Sequence, residues 1–190
     1  MLWCTLAHYT LCKNNIIVNT LEQLNISQLR NLWLRSPDER LTSWREFRIE
    51  LQSHYDLYKA DGTESDTVIL LDCLKAVSTW WEQAPIVSVA MDPFDTESWP
   101  SVWEILDQGE CCKYSRGLAM AYNLHYMNTD VNVTLDRVRD HITHDEYMIA
   151  NYDGQYALNS QQAQIINLQN VESLEVRESI QIGSYILQNQ

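Results

Sequence analysis

A chain of 190 residues with 45% hydrophobic side chains has enough apolar material for a core, which excludes a disordered segment. Its formal net charge of −13 and pI near 4.6 argue against nucleic acid as a partner, since phosphate binding rests on Lys and Arg, and point to basic partners or to solubility instead. Seven Trp and ten Tyr stand against two Phe; these residues bury a ring while keeping one polar contact, which suits protein partners as well as a core.

The start, Met1-Leu2-Trp3-Cys4-Thr5-Leu6-Ala7-His8, is apolar but lacks a basic leader region and a small-residue cleavage site, so no signal peptide is expected. No stretch has the length of a membrane span. Cys4, Cys12, Cys73, Cys111 and Cys112 form no Cys-x-x-Cys pair and no even disulfide framework, which points to a reducing, cytoplasmic setting.

Residues 1–90 read as helical. Asn25-Ile26-Ser27 caps a short helix carrying Leu29, Leu32 and Trp33, and Ser43 caps another carrying Trp44, Phe47, Ile49 and Leu51. Asp61-Gly62 marks a turn. Ser65 or Asp66 then starts a helix apolar on more than one face, ending at Trp80-Trp81 before Pro85. The basic residues Arg35, Arg40, Arg45 and Arg48, and again Arg116, Arg137 and Arg139, read as solvated helix faces or salt-bridge partners.

Residues 91–190 begin with a structured loop to Pro100. A short helix over 101–106 and Gly109 follow, then a helix from Cys111 through Leu124. After Asn128-Thr129-Asp130 the pattern changes to strands over 131–135, 144–152, 155–158, 163–168 and 174–182. Helices followed by an antiparallel sheet make the fold class α+β, with both parts forming one globular unit.

One constellation carries chemistry. Gly109-Glu110-Cys111-Cys112-Lys113-Tyr114-Ser115 offers a thiol where a helix begins, His144 an imidazole at a strand start, and Asn159 an amide beyond the Asp153-Gly154 turn. Nucleophilic cysteine catalysis needs those three groups: a helix start or an imidazolium lowers the thiol pKa, the imidazole moves the proton, and the amide holds the tautomer. Cys112 competes with Cys111 as nucleophile, and Asp153 competes with Asn159. For an oxyanion hole, the N–H at the nucleophile's helix start is one donor; Gln108, Trp99 and Trp103 are candidates for the second. The bland alternative is that both cysteines are small buried residues.

These residues resemble the core of the transglutaminase-like branch of the papain-type cysteine fold, over roughly residues 99 to 160. Its pattern is Gly-x-Cys-x-x-Tyr-Ala at a helix start, a His strand, a Gly-centred turn and an Asp strand. Here Ser115 stands for the Ala, Tyr156 for the usual Trp and Asn159 for the usual Asp. The resemblance implies Cys111 as nucleophile, His144 as base and acid and Asn159 as orienting residue, acting on a peptide or other amide by hydrolysis or acyl transfer, with no cofactor. Trp99-Pro100, Trp103-Glu104 and Gly109-Glu110-Cys111 also resemble uncharacterised proteins of tailed bacteriophages. That likeness implies a virion component or an infection-stage protein in the host cytoplasm, in which the fold serves as a catalytically inactive scaffold.

Other chemistries have weaker signals. His141 and His144 suggest a metal pair, but no third ligand is obvious and no metal is expected. A glycine-rich phosphate loop and a Gly-x-Ser-x-Gly elbow are both missing from the sequence.

Overall fold

The computed structural model describes residues 26–61, 66–88, 91–160 and 165–188. Cys4, His8, Cys12, Asn25, Gly62, Ser65 and Ala163 lie outside them. Helix α1 (Ile26–Trp33) turns Leu29, Leu32 and Trp33 inward. Helix α2 (Pro37–Asp61) starts earlier than Ser43, which lies within it. The stronger start signal is Ser36-Pro37-Asp38-Glu39: Ser36 N–H donates to Glu39 Oε2 at 3.1 Å and Glu39 N–H to Ser36 Oγ at 3.4 Å, with Pro37 in the first helical position.

Helix α3 (Asp66–Glu82) packs against α2, and its Trp80 and Trp81 form an aromatic cluster with Trp33 of α1, ring centroids 4.7 to 5.6 Å apart. Trp33, Trp44, Trp80, Trp81 and Trp99 are all buried; Trp103 is the exposed one among the described residues. Most of the indole surface therefore serves the core.

Helix α4 (Val102–Gln108) has a full capping box at Ser101 and Glu104 and ends on the left-handed Gly109. Helix α5 (Lys113–Met127) is buried along most of its length, with α2 and α3 on one side and the sheet on the other. The sheet is antiparallel throughout. Strands β1 (Val133–Asp140), β2 (Glu146–Tyr152), β3 (Tyr156–Leu158), β4 (Ile165–Asn167) and β5 (Leu174–Gln181) lie in the order β4-β3-β2-β1-β5.

Side chains alternate along β2 as the pleat requires. Met148, Ala150 and Tyr152 join the main core under α5, while Tyr147 and Ile149 join a smaller cluster on the opposite face with Val138, Ala157 and Ile166. The first strand begins at Val133 and runs on to Asp140, well past the expected 135, and the second begins at Glu146, leaving His144 in the connection. The last strand stops at Gln181, where helix α6 (Ile182–Gln188) begins and packs Ile182, Tyr185 and Ile186 inward.

Candidate functional site

Gly109 places the cysteine segment. With φ of +74° it caps α4, its N–H donating to Ile105 O at 3.1 Å, in a conformation that side chains disfavour. The guanidinium of Arg40 lies against it and donates to Leu106 O at 2.7 Å, to Asp107 O at 2.6 Å and to the carbonyls of Trp33 and Arg35. Arg40 is thus a buried cap for two helix ends, not part of a solvated face. Arg48 is covered by the rings of Trp44 and Tyr126, and Arg45 lies over Trp103.

Cys111 lies before the helix, in extended backbone. Its N–H donates to Pro85 O and its carbonyl accepts from Val87 N–H, both at 3.0 Å, forming a parallel bridge with Ile86. The N–H expected to serve an oxyanion hole is therefore already bonded. The helix start belongs to Cys112, whose N–H donates to Ser115 Oγ at 2.9 Å and whose Sγ accepts from Ser115 N–H at 3.4 Å. Cys111 is only 2% exposed. Burial pushes its thiol up to about 12, with Arg116 pulling in the opposite direction and Cys112 and Glu110 adding to the rise.

The three residues expected to form a relay have different surroundings. His144 is exposed in the β1–β2 turn, with φ of +62° and its backbone N–H donating to Asp140 O at 2.8 Å. Its side chain makes no hydrogen bond among the described residues, and no hydrogen bond joins Cys111, His144 and Asn159. Asn159 is buried with φ of +66°, and its amide is committed elsewhere. Oδ1 accepts from Arg116 Nε at 2.8 Å, while Nδ2 donates to Lys113 O at 2.8 Å and Met148 O at 2.7 Å. The cation it orients is a guanidinium, which has no proton-accepting atom. Asp153, the alternative orienting residue, is exposed in the β2–β3 turn.

Cys111 lines a cavity of about 450 Å³ between the loop before α4, the starts of α4 and α5, and Tyr185 of α6. Gln108 and Trp99 also line it. Trp99 Nε1 donates to Asp92 O at 2.7 Å, so it is not free to hold an oxyanion, and Trp103 packs on Trp44 instead. Of the three upstream donors, Gln108 remains at the cavity. Sequence reasoning missed Arg116 as the partner of Asn159, and missed Glu97, Glu110, Tyr122 and Tyr185 as cavity walls. Arg116 lies in the first turn of the helix that follows the cysteines, but contact with Asn159 depends on the sheet, which spacing does not reveal. His141 Nε2 lies 3.3 Å from Glu175 Oε2. Among the described residues no group of three or more His, Cys, Asp or Glu side chains is placed to hold a metal ion, and no helix is long and apolar enough to cross a membrane.

Helices followed by a five-stranded antiparallel sheet, with the cysteine segment leading into the buried central helix, define an α+β fold with a transglutaminase-like core. Solved structures of Legionella pneumophila LapG share it. The calcium-bound form matches with a TM-score of 0.57 at 12% identity, over 83% of this chain and 84% of that one. A second LapG structure matches with a TM-score of 0.55 at 12% identity, over 83% and 84%. The EGTA-treated form gives 0.55 at 12% identity, over 83% and 82%. No known protein family matches the chain by sequence, and neither does any curated protein. At this identity the likeness speaks for the fold alone.

Proposed function

We propose that this chain is a binding protein that uses the transglutaminase-like fold as a scaffold without turnover, its ligand site being the cavity beside Cys111. The observation that carries this reading is the Arg116–Asn159 bond at 2.8 Å. The amide expected to orient a catalytic imidazole holds a group that cannot take a proton, and burial pushes the Cys111 thiol up to about 12, away from the thiolate that nucleophilic attack needs. The test is the pH dependence of Cys111 alkylation by iodoacetamide, read by peptide mass in a Cys112→Ser background, with and without His144→Ala. Slow labelling below pH 9 that His144→Ala leaves unchanged is expected. Rapid labelling below pH 8 that is lost in His144→Ala overturns the reading.

That second outcome would support amide hydrolysis or acyl transfer through Cys111, His144 and Asn159. This alternative is favoured by the order of the three residues in the sequence and by the fold shared with LapG. It requires the β1–β2 turn to carry His144 to the thiol and Asn159 to exchange Arg116 for imidazole. A virion or infection-stage role rests on the tailed-phage resemblance, and is compatible with a scaffold that acts by binding.

A further inference from the structure

We infer that the cavity beside Cys111 is a site for an organic cation, an alkylammonium or guanidinium group, held by Glu97, Glu104 and Glu110 against the rings of Trp99, Tyr122 and Tyr185. All six residues line it, together with the Cys111 thiol, and no Lys, Arg or His does so among the described residues. None of the three carboxylates has a cationic partner among the described residues. Glu104 spends Oε2 on Ser101 N–H and Oγ, at 2.7 and 2.9 Å, and keeps Oε1.

The second observation is Tyr122. It is 6% exposed, lines the cavity, and its hydroxyl takes no hydrogen bond among the described residues. Burial first, then Tyr185, Tyr126 and Glu104, push its pKa up, so the hydroxyl stays neutral and can accept from an N–H while donating to a carboxylate. The unpartnered hydroxyl of a buried tyrosine beside unpaired, exposed carboxylates has the donors of a cation as its natural complement. The aromatic walls add attraction for a desolvated cation within about 6 Å of a ring.

The competing sign is an anion drawn to the nearby helix starts. At each start the capping box takes the N-cap and third-residue amides, at Ser101 and Glu104 and at Cys112 and Ser115, and the three carboxylates of the lining repel an anion. At about 450 Å³ the cavity is of small-ligand size, and the net charge of −13 steers cations toward the chain. The source is the basic side chain of a protein partner or a free amine; the chemistry is shared.

This inference rests on the binding-protein reading and adds the class of ligand. The test titrates the full chain at low salt with butylammonium, butylguanidinium, and a short lysine peptide with and without acetylation of its Nζ. The readout is the Trp99 indole N–H resonance, identified through Trp99→Phe, alongside calorimetry. The cations and the free lysine peptide are expected to move that resonance, and the acetylated peptide is not. Glu97→Gln with Glu110→Gln should weaken binding about tenfold, whereas Glu46→Gln with Glu50→Gln should leave it unchanged. Binding of butylammonium with exclusion of the peptide supports the site and assigns it to a free amine. Equal binding of both peptides, a resonance that no cation moves, or equal weakening by the remote pair overturns it. Ammonia release from a glutamine peptide would overturn the non-catalytic reading and leave the cation result standing.

Discussion

Arg116 donates its Nε–H to Asn159 Oδ1 at 2.8 Å, and the same amide reaches back through Nδ2 to the carbonyls of Lys113 and Met148. The orientation of the amide is forced, since a guanidinium only donates and a carbonyl only accepts. This explains why Asn stands where the transglutaminase-like pattern carries Asp: a carboxylate would satisfy Arg116 but repel two carbonyls. Asn159→Asp is therefore expected to lower stability by about 2 kcal/mol despite the new ion pair. Urea unfolding at pH 7 checks it, and unchanged or raised stability would contradict this account.

Gly117 tests the same contact from the helix side. A Cβ there would stand 2.9 Å from Asn159 Nδ2 and 2.9 Å from Met148 O. Ala gains about 1 kcal/mol in helix propensity over Gly, but crowding against a backbone carbonyl costs about 1–3 kcal/mol. Gly117→Ala should be net destabilising, the reverse of what an exposed helix position gives. Thermal unfolding distinguishes the two signs.

Much of the fold was legible in the sequence because its elements carry local signals. Ser101-x-x-Glu104 and Gly109 bracket α4, and the change to alternating Val, Thr and Ile residues after Asp130 announces the sheet. The site was legible only in part. Cys111 is where the pattern puts a cysteine, yet the backbone bridge to Ile86 that removes it from the helix start joins segments distant in sequence. His144 reads as a strand residue because the strand pattern of 147–152 begins just after it; Asp140 accepting from Ile142 N–H at 2.8 Å instead tightens a turn that holds it outside the strand. Helix α6 had its own signal in Ile182, Tyr185 and Ile186 at helical spacing, outweighed by the strand alternation just before it.

Asn123 lies at the centre of the helical layer. Its Oδ1 accepts from Trp44 Nε1 and from Trp81 Nε1, both at 2.8 Å, tying α2 and α3 to α5. Removing the acceptor strands two buried indole donors, each costing about 1–3 kcal/mol. Asn123→Leu should therefore lose about 2–6 kcal/mol, and Trp44→Phe combined with it should cost less than the sum of the single changes. A double-mutant cycle by urea unfolding measures this coupling; strict additivity would mean that the indoles find other partners.

His54 and His125 are two imidazoles whose burial couples folding to pH. Burial lowers the pKa of His54 below its ordinary 6.5, with Asp72 opposing, and burial lowers that of His125. The folded chain holds both rings neutral while the unfolded chain takes up protons near 6.5. Above that value the folded state has its full stability from these sites; as the pH falls through 6.5 the unfolded state gains protons first and stability declines, levelling off below the folded values. Carboxylates act in the opposite acid range: the N–H and hydroxyl of Ser101 hold Glu104 below its ordinary 4.5, so its contribution is lost lower still. The melting temperature should thus be lower at pH 5 than at pH 7.5. His54→Gln, which keeps a neutral polar group, should flatten that slope; an unchanged slope would assign the acid response to other groups.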